Sequence, residues 1–164
     1  MPKLFVIMPF GLRRHEGVEF DFDTVYRTVI RPTAEGVGWE TLRIDEVSTP
    51  GAINDQYLRE LLNAELVLAD ISIPNANVYY ELGVRPSVSS SGTLLISSAT
   101  PEDVPFDLRG QRIIFFDRSQ ADMLTQGISI ALKEFTNSTV TSPLRPFLER
   151  AGALADPKRD SRGV

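Results

Sequence analysis

Asp70 and Glu81 are the side chains whose setting points most directly to chemistry. Asp70 closes an apolar run, Leu66-Val67-Leu68-Ala69. Glu81 lies beyond a loop of turn formers that holds Asn75 and Asn77, in the first turns of an expected helix. A strand, loop and helix in that order deliver their polar residues to the carboxyl edge of a parallel sheet, where such folds bind ligands. Two acids and two carboxamides placed there suit attack on, or charge stabilisation of, a sugar carbon.

Each residue also has an ordinary structural use. Asp70 can cap a turn through nearby backbone amides. Glu81 can pair with Arg85 one turn on, a contact worth ~0.3–0.5 kcal/mol on a helix surface. With Asn77 as the helix cap, Glu81 falls at the fourth helical position, one beyond the place of a capping-box glutamate. Asn77, Glu81 and Arg85 then share a face that starts at the ligand edge, and the nearby helix N-terminus favours the ionised carboxylate.

Other strand ends offer further candidates. Met8, Pro9, Phe10 and Gly11 follow the first strand, with Gly11 permitting close backbone approach to a ligand, or simply making a turn with Phe10 over the core. Asp45 and Glu46 follow the second, as site residues or as a solvated loop, and Ser97 and Ser98 follow the fourth. The loop from Val104 to Gly110 precedes the fifth, and packing suits it better than catalysis.

The elements that must carry these residues are legible from periodicity. The continuous apolar run at 3–8 reads as a strand buried on both faces, and 40–44, 65–69, 93–96 and 112–116 read as further strands. A polar loop follows the first. Helical spacing covers 23–35 (Val25, Tyr26, Val29, Ile30, with Gly36 and Gly38 as stops), 53–64, 77–87 and 121–135, with a shorter helix over 144–154. Pro86 is expected to curtail the third helix. Loops are expected over 48–51 and 87–92. Strand and helix alternating in this way imply an α/β fold, a flavodoxin-like doubly wound sheet of about five parallel strands with helices on both faces. One domain is expected over 1–155, followed by a flexible charged tail, 156–164.

Composition excludes several classes. The 164 residues suffice for one buried core, and 42% hydrophobic with 24% charged residues is ordinary for a soluble chain. No apolar run approaches the ~18 residues that span a bilayer, so no membrane partner is expected. The absence of cysteine removes disulfides and thiolate metal sites and fits a cytoplasmic setting. A single histidine, His15, argues against a zinc or histidine-based centre. A net charge of -5 argues against a grip on nucleic-acid polymers.

The ordered set Val6-Ile7-Met8-Pro9-Phe10-Gly11, Phe22-Asp23, Arg43 with Asp45-Glu46, Ala69-Asp70, Asn75-Ala76-Asn77-Val78-Tyr79-Tyr80-Glu81-Leu82-Gly83 and Val104-Pro105-Phe106-Asp107-Leu108-Arg109-Gly110 resembles bacterial TIR-like (Toll/interleukin-1 receptor-like) domains of the nucleoside 2-deoxyribosyltransferase-like superfamily. The likeness spans roughly Lys3 to Phe116. It implies Glu81 acting at the anomeric carbon of a nucleotide or nucleoside, Asp70 holding sugar hydroxyls, and Pro9 and Phe10 lining the base or ribose pocket. A histidine and a small residue are expected after Arg85, where this chain has Pro86 and Ser87. The activity implied is cleavage of an N-glycosidic bond, with NAD as a possible substrate and no separate cofactor. Deoxyribosyl transfer, or a non-catalytic module that senses a nucleotide or self-associates, are the alternatives; a homo-oligomer is expected. Nicotinamide leaves NAD as a neutral base, so one ionised glutamate suffices. A purine leaving a neutral nucleoside needs a second acid, for which Asp70 or Asp45 is available.

Overall fold

The register of the first strand organises the molecule. β1 (Lys3–Ile7) pairs in parallel with β4 (Glu40–Arg43) on one side and β5 (Leu66–Asp70) on the other. β6 (Gly92–Ser97) and β7 (Ile113–Phe115) extend the sheet beyond β5. The order β4-β1-β5-β6-β7 is that of a flavodoxin-like doubly wound sheet. The computed structural model describes residues 1–46, 53–88 and 92–137, with Phe147 and Arg150. The loop expected over 48–51, nearly all of the helix over 144–154 and the tail 156–164 lie outside the described residues.

Alternation along the strands builds a core on each face. Leu4, Val6, Leu66, Leu68, Leu94 and Ile96 face one way. They are covered by the helical run from Phe22 to Gly36 and by α5 (Ala121–Asn137). Phe5, Ile7, Val67, Ala69 and Leu95 face the other way, under α3 (Ile53–Asn63) and α4 (Ala76–Val88). Glu81 belongs to this second layer. Among the described residues, no helix is long and apolar enough to cross a membrane.

Three local features depart from the expectations. The polar loop after β1 is an antiparallel hairpin, β2 (Leu12–His15) and β3 (Val18–Asp21). Glu16 and Gly17 turn it, both with positive φ (50° and 79°), the geometry that matches strand twist in two-residue hairpins. The first helix is not uniform. α1 (Phe22–Val25) and α2 (Arg31–Gly36) are joined by a π-helical turn, Tyr26–Ile30, in which the Arg31 N–H reaches the Tyr26 carbonyl. Pro32 follows directly; it has no N–H to continue the ladder, so the helix widens just before it. Finally, α4 runs through Pro86 to Val88, into the start of the loop expected over 87–92, of which 89–91 lie outside the described residues. The proline sits in the last turn, where it forfeits one backbone bond without ending the helix earlier.

Candidate active site

A concavity opens where β1 runs out, on the α3/α4 face, with a volume of about 90 Å³. Phe5, Ile7, Met8 and Pro9 form its floor, Phe10 and Ile44 one wall, and Asn75, Asn77, Val78 and Glu81 of the α4 start another. Tyr57 of α3 and Arg13 of the hairpin complete it. Pockets for drug-sized ligands measure ~300 Å³ or more, so this one encloses only a small part of such a ligand.

α4 is capped two residues earlier than the sequence suggests. The Asn75 side-chain oxygen accepts the backbone N–H groups of Asn77 (3.0 Å) and Val78 (3.2 Å), so Asn75 is the cap rather than Asn77. Glu81 therefore lies in the second turn. There the macrodipole has faded, and it no longer favours the carboxylate. Burial acts the other way, raising the Glu81 carboxyl to about 7, with only partial relief from the neighbouring Tyr57 hydroxyl. The Tyr57 hydroxyl oxygen is itself buried and has no full hydrogen-bond partner among the described residues. Burial first, then the Glu81 charge, holds the phenol well above its ordinary range.

The Glu81–Arg85 ion pair does not form. Arg85 is fully buried and donates to the carbonyls of Leu61 and Ala64 at the C-terminus of α3. Those carbonyls lack helical partners, so a guanidinium from the next helix is a sound cap. Burial brings Arg85 down to about 10. The shared face of Asn77, Glu81 and Arg85 thus splits: Asn77 and Glu81 line the pocket while Arg85 clamps α4 to α3. Glu81 has no ion-pair partner among the described residues.

The other candidates separate into two groups. Met8, Pro9, Phe10, Asn75 and Asn77 come together with Glu81. Asp70, Asp45 and Gly11 do not line the pocket. Asp70 is buried; its carboxylate accepts the Ser72 N–H at 2.9 Å, and the Ser72 hydroxyl oxygen accepts the Ser98 N–H at 2.9 Å. This arrangement ties the β5 end to the β6 end, the turn-capping role. Burial raises Asp70 to about 6 despite those bonds. Asp45 is held by Arg43 through two bonds of 2.7 and 2.6 Å. Gly11 turns the chain at φ 65°, its N–H donating to Asp23 at 3.1 Å. A Cβ there would meet no protein atom within 4 Å, so it is the positive φ, not a crowded neighbour, that favours glycine.

Arg43 is the centre that the sequence does not announce. It is only 1% exposed. Besides Asp45 it pairs with Asp23 at 2.9 Å, and its guanidinium lies 4.4 Å from the Tyr26 ring centroid and 5.2 Å from that of Phe10. The cluster therefore buttresses the pocket wall that Phe10 forms. Tyr57 and Arg13 are the polar pocket residues missed from sequence, beside the apolar lining of Phe5, Val6, Ile7, Ile44 and Val78. Tyr57 sits in an amphipathic stripe like any core residue, and Arg13 falls in what reads as a polar loop. No protein-family model matches the chain, and no curated protein matches it.

Proposed function

We propose that this pocket cleaves the N-glycosidic bond of NAD or a related nucleotide, with Glu81 acting at the anomeric carbon. The observation that carries the proposal is a half-buried carboxyl group that lines a small pocket and has no ion-pair partner among the described residues. A cationic sugar carbon is the missing partner. As the C1′–N bond breaks, its electron pair returns to the pyridinium ring and nicotinamide leaves neutral. The oxocarbenium-like sugar is stabilised by Glu81, and water then adds to C1′ and gives up a proton to the carboxylate or to solvent.

The disposition of the other acids favours this leaving group. Asp70 and Asp45, available on paper as a second acid, are committed to Ser72 and Arg43 outside the pocket. A substrate that leaves without protonation therefore suits the site best. Incubation of the protein with NAD at high protein concentration, scored for nicotinamide release, is the test. Glu81→Gln is expected to lower release at least about a hundredfold. Equal release by the variant, or none by the wild type, overturns the proposal.

The raised Glu81 carboxyl favours one alternative at the same site. A protonated Glu81 would donate to the base of a neutral nucleoside, as deoxyribosyl transfer or nucleoside hydrolysis requires. The two chemistries have opposite pH limbs: NAD cleavage by the carboxylate rises in kcat/KM as pH passes about 7, whereas acid-assisted cleavage falls.

A further inference from the structure

We propose that Arg13 is a phosphate-recognising residue, so that the pocket takes a sugar carrying a 5′-phosphate, a nucleotide rather than a free nucleoside. The inference rests on the sugar assignment above and adds the substrate class to it.

Arg13 is the one cation among the residues lining the pocket, and it is exposed. It has no ion-pair partner among the described residues, whereas its neighbour Arg14 is paired with Glu19 at 2.9 Å. The hairpin register explains the contrast. Arg13 stands opposite Phe20 and Arg14 opposite Glu19, so the two arginines lie on opposite faces of the ribbon. Phe20 packs against the core, which makes its face the one turned to the protein body. Arg13 shares that face, stays exposed, and lines the pocket at its rim.

The ribbon is also held in place. The Phe20 ring stacks on Phe22 with centroids 5.9 Å apart, and the Arg118 guanidinium covers Phe20 at 4.1 Å while donating to the Glu19 carbonyl. The Phe22 N–H bonds to the Gly11 carbonyl at 3.2 Å and closes the base of the hairpin. An unpaired guanidinium on a fixed backbone is a fork ready for two phosphate oxygens. Its charge opposes that of Glu81, and the two are not paired with each other. A ribosyl phosphate presents the matching pair: an anomeric carbon that becomes cationic, and an anion several bonds away.

The test compares ribose 5-phosphate with ribose as ligands of the full chain at low ionic strength, by calorimetry and thermal shift. Glu81→Gln serves as background, to remove charge repulsion and turnover. Ribose 5-phosphate is expected to bind about tenfold more tightly than ribose or better. Arg13→Gln should erase that difference and Arg13→Lys should keep part of it. Equal binding of the two sugars, no saturable binding of ribose 5-phosphate, or an Arg13→Gln variant that still discriminates, overturns the proposal. The two claims fail separately. A phosphate preference lost in Arg13→Gln, with no cleavage of NAD, upholds the phosphate site and removes the hydrolase. Cleavage of nicotinamide riboside as efficient as that of nicotinamide mononucleotide does the reverse.

Discussion

Arg43 is a buried charge and Glu81 a half-buried one near the carboxyl edge of the sheet, and their surroundings could hardly differ more. Arg43 is met by two carboxylates and two aromatic rings. Burial opposes its charge, but Asp45 and Asp23 more than offset that, and the guanidinium stays above its ordinary range. Glu81 has a phenol hydroxyl beside it and no ion-pair partner among the described residues, so burial raises its proton affinity. The satisfied charge holds architecture together, fixing the turn at Gly11 and the Phe10 wall. The unsatisfied one is costly in the absence of a ligand, and a cationic transition state is the partner that relieves it.

Removing each charge separates the two roles. Arg43→Met is expected to destabilise by about 3 kcal/mol in urea unfolding, because Asp23 and Asp45 lose their counter-charge and two rings lose their packing. A loss below about 1 kcal/mol would place Arg43 with ordinary surface pairs and erase the contrast.

Glu81→Gln is expected to act in the opposite direction. The folded carboxyl at about 7 lies above its ordinary value of 4.5, so the folded state holds the extra proton in that window. Its stabilising share is complete below pH 4.5 and is lost as pH rises through about 7. At pH 8 the variant should therefore be more stable than wild type by about 2 kcal/mol, allowing for solvent screening. Asp70 gives the same sign between 3.8 and about 6, but it is present in both proteins and cancels from the difference. Melting temperatures of the pair from pH 5 to 8 measure the effect; parallel curves would mean that Glu81 is not desolvated.

Tyr57→Phe gives the smallest shift. The phenol is the one group that lowers the Glu81 carboxyl, so its loss should move the midpoint upward by less than about one pH unit. The pH profile of kcat/KM, or the pH at which wild-type and variant stabilities diverge, reports it. A downward move would show that the hydroxyl does not donate to Glu81.

Much of the fold was readable because its signals are local. Buried parallel strands are apolar without interruption, and helices repeat at 3.6, so the alternation from Lys3 to Phe115 declares a doubly wound sheet. The hairpin escaped because each strand has only four residues, half of them charged, and Glu16-Gly17 lacks the Asn-Gly signature. Glu81 stood out through a turn-rich loop between strand and helix, a pattern also contained within a few residues.

The sequence alone determined the sheet, its helical layers and the edge at which Glu81 emerges, since each depends on neighbours along the chain. Tertiary structure alone decided which charges are answered. Arg85 prefers Leu61 and Ala64 to Glu81, Arg43 gathers Asp23 as well as Asp45, and Tyr57 and Arg13 join a pocket from separate elements. A long side chain chooses its partner by burial and reach across packed elements, and neither quantity is written in residue order.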